Sequence, residues 1–159
     1  MSNPFSTDNL VPNWKSANQI LKGDTPGHPF HGNQWKSAVE MSQFLATNAK
    51  NGTKYGTSTG FIKPLATGHR IAAEQIEDAV HGHSSEMTNG DRLRATRAIQ
   101  AHLDAAQAHE AVVEHIKDTG RLEASFDEDP VAQDLAQKAS DASANAMTAT
   151  NVLANTHAE

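Results

Sequence analysis

Between residues 130 and 156 the chain repeats small side chains at helical intervals: Ala132, Ala136, Ala139, Ser143, Ala146 and Thr150, closed by Leu153. Steps of three and four residues return to one side of an α-helix. A face this small gains dispersion energy only when another backbone comes close. The feature therefore demands tight helix-on-helix packing. Asp129 followed by Pro130 supplies a start signal, an N-cap and a proline in the first turn.

A helix of similar length is expected just upstream. Thr88 and Asp91 have capping-box spacing, Leu93, Ile99, Leu103, Ala106, Val113 and Ile116 supply apolar positions to about residue 118, and Gly120 is a stop. Each helix spans about 40 Å at 1.5 Å per residue. Equal lengths and a loop of about ten residues predict an antiparallel hairpin. Two shorter helices precede it. One runs from the Asn33 cap to about residue 48, with Trp35, Ala38, Met41, Phe44 and Leu45 on one face, and ends in NAKNGTKYGTSTG, where Asn51-Gly52 is turn chemistry. The other covers residues 67 to about 81, with Ile71, Ile76 and Val80 inward and EQIED facing water. The expected fold class is all-α, a small helical bundle.

Of the 159 residues, 25 are alanine and only eight are aromatic. Alanine buries little area, so at ~25 cal/mol per Å² the core is thin. Much of the stability is expected from close packing or from a partner surface. Residues 1–35 read differently, as an extended arm preceding a helical domain of residues 36–159. Asn3-Pro4, Val11-Pro12, Thr25-Pro26 and His28-Pro29 favour extended or turn backbone, and Phe5, Trp14, Ile20, Leu21, Phe30 and Trp35 recur as anchors.

Composition excludes several classes. A net charge of -6 with no basic run argues against direct nucleic-acid binding. The absence of cysteine removes disulfides, thiolate catalysis and cysteine-type zinc sites. No signal peptide or apolar membrane span is visible, so a soluble protein made in a cytoplasm is expected. Nine histidines are the only catalytic signal. His28 and His31 lie in a Pro/Gly loop, His81 and His83 flank a glycine, and His102 and His109 share a helix face that His115 leaves. HEAVVEH lacks the Glu-x-x-His spacing of a di-iron bundle. The histidines are read as solvated or interface groups, with no metal or cofactor. No nucleophile elbow or phosphate loop is present, so no enzyme is expected.

The stretch GDTPGHPFHGNQWK, residues 23–36, holds two prolines, three glycines, two histidines, Phe30 and Trp35. Within it, GHPFHGNQW resembles the motif G-H-P-F-R-G-N-Q-[YW] of head-associated proteins of tailed bacteriophages, especially those infecting actinobacteria. The match covers Gly27, His28, Pro29, Phe30, Gly32, Asn33, Gln34 and Trp35, with His31 in place of the arginine. The resemblance implies a structural virion protein, preferably a minor capsid or decoration protein. Its partners would be the major capsid protein or other virion proteins, with self-association open and no membrane. Phe5, Trp14, His28, Pro29, Phe30, Asn33 and Trp35 are the expected partner-binding residues. A head–tail connector component, a packaged internal protein and a phage-encoded inhibitor of a host protein are alternatives, and a small metal-dependent enzyme is a third class.

Overall fold

The structure, a computed structural model, describes residues 38–55, 57–82, 85, 87–120, 123–124 and 129–157. Four helices follow in order: α1 (Ala38–Tyr55), α2 (Thr59–Gly82), α3 (Asn89–Asp118) and α4 (Pro130–His157). Two short strands, β1 (Thr57–Ser58) and β2 (Glu123–Ala124), pair antiparallel, Thr57 opposite Ala124 and Ser58 opposite Glu123. The fold is an all-α bundle. Packing runs around a square, α1 on α2, α2 on α3, α3 on α4 and α4 on α1, leaving α2 and α4 across a diagonal. Neighbours are antiparallel, the up-down-up-down arrangement that short connections favour.

The long hairpin forms as its caps dictate. Thr88 Oγ1 accepts from the Asp91 N–H at 3.1 Å, and the Asp91 carboxylate accepts from the Thr88 N–H at 3.1 Å, a closed capping box. At the far end Gly120 takes φ +74°, a left-handed position where a Cβ is strained. The Asp129 carboxylate accepts from the Ala132 N–H at 3.0 Å and opens α4.

The first two helices depart from expectation. α1 continues through Asn51-Gly52 to Tyr55. Upstream, Thr47 and Asn48 turn their side chains onto the carbonyls of Gln43 and Phe44, both at 2.9 Å. These polar groups thus bond back along the helix rather than forming a turn, and a helical glycine costs only about 1 kcal/mol relative to alanine. α2 starts eight residues earlier than the apolar pattern indicates and carries Pro64 inside it. Proline there forfeits one backbone bond, while Ile62, Leu65 and Ala66 are all buried. Within EQIED only Glu74, Glu77 and Asp78 face water, because Gln75 and Ile76 are buried. On α3, Leu93 is 51% exposed, so it leaves the predicted stripe. The stripe runs instead through Ala95, Ala98, His102, Ala105, His109, Val112 and Ile116.

Every member of the α4 small-residue stripe is buried, as its spacing requires. Of the 24 buried core hydrophobics among the described residues, 14 are alanine. One apolar cluster joins Met41, Leu45, Ile62, Leu65, Val112, Ile116, Ala132 and Ala139. A second gathers Ile76, Met87, Ala95, Ala98, Leu153 and Ala154. Enlarging the stripe should push helices apart. Ala139→Leu is expected to cost ~1–3 kcal/mol by overpacking, while Ala144→Leu, on the exposed side of α4, stays near zero. Thermal melts of the two variants read the difference.

Candidate functional site: a buried histidine network

Large residues are scarce along the bundle's centre, and three imidazoles occupy it. His69 of α2 and His102 and His109 of α3 have no exposed surface, nor does Ser143 of α4, and Thr150 is 1% exposed. The alanines beside them leave room for a ring to reach a neighbouring helix. His69 crosses the diagonal to Ser143 Oγ from Nε2, at 2.7 Å. Its Nδ1 lies 3.0 Å from His102 Nδ1. His102 Nε2 lies 2.7 Å from Thr150 Oγ1, which donates to the Ala146 carbonyl at 2.8 Å.

With Thr150 donating to Ala146, one set of tautomers satisfies every group in the chain. In that set Thr150 gives its hydroxyl proton to Ala146, and its oxygen accepts from the His102 Nε2–H. His102, when neutral, then carries a bare Nδ1 that accepts from the His69 Nδ1–H. That leaves His69 Nε2 bare, and Ser143 Oγ–H donates to it. The path is directional: Ser143 to His69 to His102 to Thr150 to Ala146. All donors and acceptors match while both rings are neutral, and none of the alternatives matches once both are protonated, because two N–H groups would then meet across the Nδ1–Nδ1 contact.

His109 stands beside this path. Its ring centroid is 5.4 Å from that of His69, tilted by 35°. Its Nδ1–H donates to the Ala105 carbonyl at 2.7 Å, leaving Nε2 as a buried acceptor without a partner among the described residues. Electrostatics agree with neutral rings. Burial pushes His102 down to about 4. His69 is held well below the usual histidine range by burial first, then by His102 and His109. Burial also lowers His109, partly opposed by its bond to Ala105.

Ser143, His69 and His102 follow the order nucleophile, base, orienting group. With no exposed surface on any of the three, a substrate has no contact with them in this conformation. Among the described residues no three His, Asp or Glu side chains form a metal-holding group.

The reading of the histidines as solvated or interface groups is therefore corrected for His69, His102 and His109. It stands for His81, exposed and 3.8 Å from Glu77. His115 is partly buried and bonds the Asp129 carboxylate at 2.8 Å, bracing the α4 cap. The expected partner-binding residues Phe5, Trp14, His28, Pro29, Phe30, Asn33 and Trp35 lie outside the described residues. A signal for the network was present in the sequence. His102 and His109 continue the 3-4-3-4 spacing of Ala95, Ala98, Ala105 and Val112, and His69 that of Ile62, Leu65, Ala72 and Ile76.

The chain matches no protein-family model, and no curated protein or solved structure shows significant similarity to it.

The proton assignment has a direct test. Thr150→Val keeps the shape but removes the acceptor for the His102 Nε2–H. An unsatisfied buried donor costs about 1–3 kcal/mol. Thr148→Val, exposed on the same helix, should stay within about 0.5 kcal/mol of the parent. Equal urea midpoints for the two variants would remove Thr150 from the network.

Proposed function

We propose that this chain is a structural virion protein of a tailed bacteriophage, a minor capsid or decoration protein that works by association. Residues 1–35 act as the gripping arm, and residues 36–159 form the domain it carries. The observation that carries this reading is the GHPFHGNQW segment, which ends three residues before α1 begins. Pro29 restricts the backbone beside Phe30, so two aromatic anchors enter a partner groove with little conformational freedom left to lose. The domain supports an associative role because its concentrated polar chemistry is sealed inside the bundle. The virion, assembled in the host cytoplasm, is the proposed location.

Deleting residues 1–35 is expected to leave a helical domain that fails to enter particles. Mass spectrometry of purified virions gives the copy number relative to the major capsid protein. A lattice-scale copy number that collapses on deletion supports the proposal. Absence of the full chain from particles overturns it in favour of a regulator, and undiminished incorporation of the truncated chain removes the arm from the mechanism.

A further inference from the structure

The Ser143–His69–His102–Thr150 path joins three helices through a hydrogen-bond pattern that tolerates no second proton. We propose that the network is an acid-triggered latch: protonation of its imidazoles releases α2 from α3 and α4 and exposes the alanine-lined seam between them. This inference stands independently of the virion reading.

The argument follows from the contacts. A first proton on His69 Nε2 is accommodated locally, because Ser143 can rotate its hydroxyl and accept. The charge it brings meets no buried carboxylate beside it among the described residues. A second proton, on His102 Nδ1, sets two N–H groups head-on across 3.0 Å. A proton on His109 Nε2 creates a buried donor with no acceptor among the described residues.

Among the described residues, no element packed against the rings supplies a compensating carboxylate. The buried faces of α1 and α4 carry no ionisable side chain among the described residues, their inward polar groups being Ser42, Ser140, Ser143 and Thr150. Glu40 and Lys50 lie near the two ends of the α1 stripe. On α4, Asp134 and Lys138 pair with each other on the exposed face, and Asp141 accepts from Gln137. On α2, Arg70 is turned outward into a bidentate pair with Glu110 of α3, at 2.8 and 2.9 Å. On α3, Asp104 is exposed and accepts from Gln100. The one buried carboxylate among the described residues, Asp91, is about 16 Å along the helix from His102 and is held by Arg94 at 2.7 Å.

The experiment takes the full chain from pH 8 to pH 4. Circular dichroism, binding of an apolar dye and long-range imidazole NMR spectra are followed together. The expected result is dye binding that rises reversibly between pH 6.5 and pH 4 and draws more than one proton. At pH 7.5 the spectra should show His69 protonated at Nδ1 and His102 at Nε2, with both rings gaining their second proton in the step that binds dye. The double variant His69→Leu/His102→Leu should move the midpoint down by at least one pH unit, its Ser143 and Thr150 hydroxyls satisfied by carbonyls four residues back. Asp129→Asn, which retains an N-capping side chain, should leave the midpoint in place. Should the double variant fail to fold, the wild-type NMR step decides alone. Rings that gain protons while the bundle stays closed, no opening above pH 4, or a midpoint unmoved in the folded double variant would each overturn the latch.

Discussion

Leu45→Ala is expected to cost about 2–5 kcal/mol, toward the upper end of that range for a leucine-to-alanine change. Leu45 has no exposed surface and sits among Met41, Ile62, Leu65, Val112 and Ile116. Relief of a cavity requires neighbours to collapse into it. Here much of the core is alanine, whose short side chains have nothing to extend into the space, and the helix backbones are already held close. A domain of this size has roughly 5–15 kcal/mol of total stability, so the variant should sit near its unfolding threshold at room temperature. Urea titration at unchanged m-value measures the loss, with Val131→Ala, 55% exposed, expected near zero. Comparable midpoints for the two would mean that the apolar cluster is not the support the packing describes.

The second large effect is expected from pH. In the unfolded chain His102 takes up a proton near the ordinary histidine value of 6.5, whereas in the bundle burial lowers this to about 4. Between those values the unfolded state holds more protons, so stability is full above pH 6.5 and falls as the pH drops toward 4. At about 1.4 kcal/mol per pH unit, His102 alone removes about 3 kcal/mol over that window. His69 and His109 add in the same direction, since burial lowers both. Asp129 acts in a lower range. The Ala132 N–H and then His115 hold it below the usual aspartate value, so its contribution is intact above pH 3.8 and disappears as the pH falls through its folded value. Urea melts at pH 7.5, 6, 5 and 4.5 should give a steadily falling unfolding free energy, and a flat profile would contradict buried neutral histidines.

What the sequence disclosed depended on the range of each interaction. The caps at Thr88 and Asp129 were legible because donor and acceptor lie three residues apart, and the α4 stripe because one face repeats it seven times. The end of α1 and the start of α2 were misread for the opposite reason. Asn-Gly and Pro speak locally for turns, and burial of Leu45, Ala49, Ile62 and Leu65 speaks from elsewhere in the fold. Leu93 was placed inward on its apolar character alone, a one-way rule that exposed leucines break routinely. The histidine network was the hardest to see. His69 meets His102 across 33 residues and Ser143 across 74, and no local spacing records those pairings.

The β1–β2 pairing ties the α1–α2 connection to the α3–α4 connection at one end of the bundle. At the other end, Val39 at the start of α1 packs on the cluster that holds Leu153 and Ala154 near the end of α4. The helical domain is thus stapled at one pole, and Ala38 and His157, the outer ends of α1 and α4, lie together at the other. Segments joined at Ala38 and at His157 start from the same side of the bundle. Circular permutation follows naturally from that layout: a short bridge from His157 to Ala38 would close that side without crossing the bundle.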